Sequence, residues 1–237
     1  MLQEIRRSDE RGHAQHGWLD SFHSFSFGSY YDPRHIQFGP LRVINEDRVQ
    51  PGSGFAEHGH RDMEIISYLI SGELAHKDSL GNGSTIRPGD VQRMSAGTGV
   101  QHSEFNPSHT QPVHFLQIWI QPHTPGVTPG YEQRRFEAAA KRGRLCLIVD
   151  GEGRDGALRM HQDASMYAGL FDAGESGTLP LAAGRQAYVH VVRGSLHANG
   201  VALQAGDALK LRHVDSVRVG DAVNAEVLVF DLPDTPI

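Results

Sequence analysis

The sequence has a single cysteine among 237 residues, Cys146, so no disulfide can form within the chain. It sits in the apolar run LCLIVD, the setting of a buried, inert thiol. No apolar stretch approaches the roughly 18 residues that a membrane-spanning helix needs. The opening MLQEIRRSDERGHAQHGW has no apolar core of the secretory-signal kind. Together these features predict a cytoplasmic protein with no membrane association. Excess positive charge is also missing. The formal net charge is -6, with both signs interspersed, so no electrostatic footprint for nucleic acid is present.

Helix signals are scarce. The best one is YEQRRFEAAAKR, residues Tyr131 to Arg142, with an alanine run, a Glu137–Lys141 pair four residues apart and Gly143 as a stop. The preceding QPHTPGVTPG reads as a loop, so this region is expected to connect two domains. On that reading Arg134, Arg135, Lys141, Arg142 and Arg144 form a solvated helix face. The rest of the chain is short β-branched or aromatic runs separated by Gly, Pro and Asn turns: EIISYLISGEL, VHFLQIWIQP, AYVHVVRGSLHANG and AEVLVFDLP. That pattern predicts an all-β sandwich or barrel. A weak internal repeat aligns Gly72 with Gly194 and Gly89-Asp90 with Gly206-Asp207. A duplicated barrel explains it; independent use of similar turns is the alternative.

Fifteen histidines are the compositional excess, and their spacing gives them meaning. GSGFAEHGHRDME carries His58, His60 and Glu64; SAGTGVQHSEFN carries His102 and Glu104. Residues two apart on a strand share a face. Two such pairs on neighbouring strands therefore bring His58, His60, His102 and Glu104 to one point. Three imidazoles and a carboxylate suit one divalent transition ion: Fe, Mn, Ni, Cu, Co or Zn. Gly97 and Gly99 are expected to make the tight turn that aims His102 inward.

Gly52 to Gly72 and Gly97 to Asn106 resemble the two cupin motifs. HGHRDMEI, MSAGTGVQHSE, ERGHAQHGWLDSFHSFSFGSYYDPRH and TPGYEQRRF resemble the short bacterial branch of the pirin family, whose members are described as quercetin 2,3-dioxygenase-like. The resemblance implies a bicupin: two stacked jelly-roll-like β-barrels joined by a short helix. The expected division is 1–132 for the metal-binding barrel and 133–237 for the connector and second barrel. It places the metal ligands on His58, His60, His102 and Glu104, with Fe(II) as the expected ion. It implies cleavage of flavonols such as quercetin with O2 and release of CO. Glu104 is the candidate base for the substrate's hydroxyl proton, since a ligand carboxylate can swing off a metal and accept a proton. A regulatory protein acting through protein partners is the alternative, and a metal-dependent isomerase or hydrolase a third reading.

The sequence departs from the family at Gly59, where proline is usual. Glu64 is one residue out of step with the general cupin glutamate, which turns a strand side chain to the other face. It is therefore left outside the ligand set, as a partner orienting an imidazole or as a surface carboxylate. In the second repeat Pro180 and Ala182 fall where His58 and His60 stand, so that barrel is expected to bind no metal. Phe22, Phe25, Phe27, Tyr30 and Tyr31 are expected as barrel core, with pocket lining for a flat aromatic substrate as the alternative, and Trp119 as core. His13, His16 and His23 receive no ligand role. His76, His109, His114, His123, His161 and His213 are expected to be surface or satisfied, and Arg61 and Asp62 to form a turn ion pair.

Overall fold

The computed structural model describes residues 2–234. The chain enters as β1 (Leu2–Arg6), β2 (Gly12–Gln15), β3 (Leu19–His23), β4 (Leu41–Val49), β5 (Gly54–His60), β6 (Glu64–Ser71) and β7 (Leu74–Asp78). It continues through β8 (Gly83–Ile86), β9 (Asp90–Ser95), β10 (Val100–Phe105), β11 (Val113–Ile120) and β12 (Gly130–Arg135) to a one-turn helix, α1 (Ala138–Lys141). The second half is β13 (Leu145–Asp150), β14 (Leu158–Arg159), β15 (Ser165–Phe171), β16 (Gly177–Pro180), β17 (Arg185–Ala198), β18 (Val201–Gln204), β19 (Ala208–Arg212) and β20 (Ser216–Pro233). The first half folds into a seven-stranded sheet, β12-β9-β6-β11-β4-β3-β2, facing a four-stranded sheet, β5-β10-β7-β8. The eight strands of the second half, with β1, form a nine-stranded sheet built on β17 and β20. The all-β, two-barrel expectation is met.

Period-two alternation decides where each side chain goes. On β6, Ile65 and Leu69 point into the first barrel, while Ile66, Tyr68 and Ile70 point out of it. The outward set is not solvated. It packs with Leu116, Ile118 and Ile120 of β11 against Met166, Tyr188, Leu228 and Phe230 of the second half. β17 mirrors this: Val189 and Val191 fill the second barrel, and Tyr188 and Val192 face the first. β1 strengthens the union by pairing with β19, Leu2 opposite Arg212. The buried Arg6 guanidinium at its end donates to the Ser24 carbonyl at 3.3 Å and the Tyr30 hydroxyl at 2.7 Å.

The connector departs from the sequence reading. Gly130–Arg135 is a strand, paired along the open edge of β9 from Gly130↔Ser95 to Arg135↔Asp90. An isolated helix of about a dozen residues is marginal in water, and an unpaired sheet edge offers a full set of backbone partners. Only Ala138–Lys141 stays helical, ending at Gly143 with φ +65°. The expected Glu137–Lys141 pair is not made: Glu137 bonds Arg135 at 2.6 Å. Lys141 is buried instead of solvated, with Nζ 3.2 Å from the Tyr68 hydroxyl and 3.8 Å from Glu226. Tyr68 in turn donates to Glu226, which also accepts from Arg193 at 2.6 Å. Four elements, β6, α1, β17 and β20, thus meet in one ionic cluster between the barrels.

The repeat has a structural counterpart. Gly72 and Gly194 have φ of +78° and +69°, and Gly89 and Gly206 have +96° and +82°. Both aligned pairs share the left-handed conformation that favours glycine.

Lys141→Ala should lower unfolding free energy by about 1–3 kcal/mol, because Tyr68 and Glu226 lose a buried partner while Arg193 still neutralises the carboxylate. Urea denaturation checks this; an unchanged midpoint would remove the cluster from the account of domain union.

Candidate metal centre and substrate cavity

β5 and β10 pair in a register that sets His58 directly opposite His102 and His60 opposite Val100. The turn before β10 makes this register reachable. Gly97 (φ +45°) lies so close to the Val127 carbonyl that a Cβ would overlap it, and Gly99 has φ +136°. The turn is tied by Arg61 donating to the Thr98 carbonyl at 2.9 Å and by Asp62 accepting the Gly126 amide at 2.6 Å. Arg61 and Asp62 thus serve different partners and do not pair with each other.

His58, His60 and His102 offer ring nitrogens that all lie within 4.8 Å of one another. Nε2 of His58 is 3.1 Å from Nε2 of His102. Nδ1 of His58 donates to the Ala56 carbonyl at 2.8 Å, which leaves its Nε2 lone pair for the centre. Burial, helped by the neighbouring imidazoles, lowers His60 to about 4 and His102 to about 3. Both rings are therefore neutral near pH 7, the form that binds a metal.

Glu104 is fully buried beside them. It accepts from Gln117 Nε2 at 2.8 Å and from the Ser67 hydroxyl at 3.3 Å, and burial pushes its carboxyl up to about 7. Among the described residues no Arg, Lys or His forms an ion pair with it. A buried carboxylate without a cation is costly, and a divalent ion is the chemistry that compensates it. The donor set therefore fits a transition metal. Glu104 falls within 4.8 Å of His102 and His76 in a second, overlapping cluster. His76 was expected at the surface or satisfied; it is 3% exposed, stacked on Tyr131, with Nε2 3.1 Å from Asp78. Nothing in its sequence spacing pointed to this place.

His58, His60 and Glu104 open into a cavity of about 560 Å³. Trp18, Phe27, Phe55 and Trp119 give it apolar walls, and Ser21, His23, Asn45, Asp47 and Gln117 give it a polar one. Trp119 packs on the core cluster of Ile65, Met94, Ala96 and Val100 and is also cavity wall: its ring stands 5.0 Å from His60 and 5.4 Å from Phe27. Of the other N-terminal aromatics, Phe25 packs between the barrels, Phe22 stacks on His13, Tyr30 bonds Arg6 and Tyr31 is exposed. The polar wall was not anticipated, although the period-two pairs Ser21/His23 and Asn45/Asp47 carry the signal.

Glu64 lies on the outward face of β6, as its one-residue offset requires. It is not a surface carboxylate: it is 0% exposed and accepts from Ser95 at 2.7 Å and His161 at 3.1 Å. It orients a histidine of the second barrel, not one at the metal centre. The other expected histidine partnerships include His114 with Glu46 at 2.9 Å. Both metal-type clusters among the described residues lie in the first barrel. Pro180 is in β16, His190 is buried in β17, and His197 faces Asp221 at 3.6 Å. Cys146 is half-buried, and burial raises its thiol pKa, which suppresses reactivity.

The pirin family model matches residues 4–120, and that of the quercetinase C-terminal cupin domain matches residues 147–232. The chain belongs to the pirin family. A quercetin 2,3-dioxygenase of Escherichia coli K12 is 45% identical over 229 residues, spanning 97% of this chain and 98% of that protein. The crystal structure of YhhW from Escherichia coli superposes with a TM-score of 0.95 at 43% identity, covering 100% of both chains. The bacterial pirin YhhW in complex with nickel(II) gives 0.94 at 44% identity, covering 99% of this chain and 100% of that one. No helix of this pirin is long and apolar enough to cross a membrane.

The cavity's second carboxyl yields a prediction. Burial raises Asp47 from 3.8 to about 7. The folded state therefore binds a proton that the unfolded state has lost between those values, and stability declines as pH rises through that window. Asp47→Asn removes the dependence. In metal-free protein its Tm advantage over the wild type should grow from pH 4 to pH 8, by about 2–4 kcal/mol in stability. Parallel pH profiles for the two proteins would contradict it.

Proposed function

We propose that the chain is a metal-dependent dioxygenase that cleaves flavonols such as quercetin with O2 and releases CO. The observation that carries this reading is the cluster of His58, His60 and His102, with Glu104 alongside, at an aromatic-walled cavity of about 560 Å³ that His58, His60 and Glu104 line. That volume suits a small flat ligand. The names of its relatives, quercetin 2,3-dioxygenase and a nickel-bound pirin, support it.

His58, His60, His102 and Glu104 would hold the ion, Fe(II) in this reading, with Ni, Mn, Co, Cu and Zn as competitors. When bound it supplies Lewis acidity toward the substrate's hydroxyl and a place for O2. The remaining work falls to the protein. Trp18, Phe27, Phe55 and Trp119 offer faces and edges against which an aromatic plane can rest. They also exclude water from the reacting bond. The Glu104 carboxylate accepts the proton of the substrate hydroxyl. Gln117 holds that carboxylate by donating to it at 2.8 Å, and the single Ser67 hydroxyl proton is shared between Gln117 Oε1 at 3.0 Å and Glu104 at 3.3 Å, which ties the two side chains together.

Protein reconstituted anaerobically with each ion in turn, then given quercetin and O2, should consume the two in equal amounts with at least one ion. His58→Ala should abolish turnover together with most metal binding. Glu104→Gln should lose turnover by a factor of about 100 or more while retaining part of the metal. Unchanged activity in Glu104→Gln would overturn the proton-accepting role. Tight metal binding without quercetin loss for every ion would overturn the dioxygenase reading.

A further inference from the structure

An imidazole that binds a metal through one ring nitrogen usually donates the N–H of the other to an acceptor behind it. His58 has such an acceptor, the Ala56 carbonyl behind its Nδ1. His102 has none. Its Nε2 faces the Nε2 of His58 at 3.1 Å, so giving that nitrogen to an ion puts the ring's one proton on Nδ1. Nδ1 of His102 is buried and without a partner. His102 is 1% exposed and does not line the cavity, so neither water nor substrate reaches that nitrogen. Only a neighbouring side chain can serve it.

His76 stands in that position. β7 pairs with β10, which sets Asp78 opposite His102 and His76 opposite Glu104. The His76 and His102 ring centroids are 5.4 Å apart. A nitrogen of each ring and a Glu104 oxygen lie within 4.8 Å of one another. Nε2 of His76 is 3.1 Å from Asp78. Oδ1 of Asp78 accepts from the Leu80 and Asn82 amides and Oδ2 from the Asn82 side chain. Burial opposes ionisation of this carboxyl, but its donors outweigh burial and hold it below the ordinary range. A carboxylate has no proton to give, so His76 donates from Nε2. A second proton on His76 would bury a like charge beside a divalent ion. Nδ1 of His76 is therefore a bare lone pair, and it too is buried without a partner. A donor and an acceptor, both orphaned, thus sit on adjacent rings. Tyr131 of the connector strand lies on the other ring face of His76, at 4.9 Å and 29° between planes, and is held by Ser84 and by Gln133 at 2.9 Å. This gives TPGYEQRRF a part in the site.

We propose that His76 is the positioning residue of the metal centre: its Nδ1 accepts the Nδ1–H of His102, completing a chain from Asp78 through two imidazoles. Ion binding completes the bond, because it fixes the His102 proton on Nδ1. The bond orients the His102 ring and raises the basicity of its Nε2 as a ligand. His76 touches neither substrate nor ion. The inference rests on the metal centre and holds whatever substrate the cavity takes.

Two measurements test it, and neither uses turnover. In protein loaded with diamagnetic zinc(II) and labelled with nitrogen-15 at histidine, the two Nδ1 atoms should show scalar coupling across an N–H···N bond. Nickel(II) affinity is measured in parallel by competition with a chelator. His76→Phe keeps a ring on Tyr131 but removes the acceptor, and should weaken nickel binding by about tenfold or more. His76→Asn sets an oxygen near the place of Nδ1 and should recover most of that loss. Absence of the coupling overturns the proposal, the outcome expected if His76 ligates the ion itself. Unchanged affinity in His76→Phe overturns it as well, and so does folded His76→Asn protein that binds as weakly as His76→Phe. If His76→Phe fails to fold, the coupling in the wild type decides. Wild-type protein that binds neither zinc nor nickel overturns the metal centre together with the proposal, whereas the other failures leave the metal centre intact.

Discussion

The seven-stranded sheet has no solvent face at its centre. One side of β6 and β11 closes the metal-bearing barrel, and the other is the floor on which the second barrel sits. Every β-strand must send alternate side chains to opposite sides, so both sets must find partners. That is why EIISYLIS is apolar almost throughout and why Tyr68 and Glu64, facing outward, are buried yet bonded. The second barrel, without a metal cluster of its own among the described residues, covers the back of the sheet whose front lines the cavity.

The front of that sheet is polar where the cavity needs it. Ser67 and Gln117 hold Glu104, while Ser21, Asn45 and Asp47 stand farther along the same sheet. Two carboxyls, Glu104 and Asp47, are buried with pKa values raised to about 7 and, among the described residues, without an ion-pair partner. Such groups weaken a fold. Their presence together in one cavity is the pattern of a site shaped for binding and proton transfer, with the surrounding apolar packing offsetting the cost. The three imidazoles stand beside them, and the same burial holds His60 and His102 neutral.

Much of this was legible in the sequence because it is local. The His-x-His and His-x-Glu spacings state which side chains share a strand face, and the pairing of β5 with β10 then sets His58 against His102. The turn glycines at 97 and 99 announce their left-handed conformations. The offset of Glu64 correctly excludes it from the cluster, because one residue on a strand reverses a side chain. The alternation of short apolar runs gave the fold class.

What the sequence could not determine depends on partners distant along the chain. YEQRRFEAAAKR has helix propensity, but the open edge of β9 claims its first half as a strand. Lys141 belongs to a basic run, yet Tyr68 and Glu226 draw it into the interdomain cluster. Trp119 packs on core as its sequence setting implies, and only the closing of two sheets around a cavity makes it a wall as well. His76 reaches the metal centre through β7 pairing with β10. The sequence by itself determined which imidazole and carboxylate side chains share a strand face, since period and chirality act over a few residues. Which strands meet, and hence which buried groups face one another, was decided only in the tertiary structure, because hydrogen-bond partners across a sheet are chosen by the whole chain.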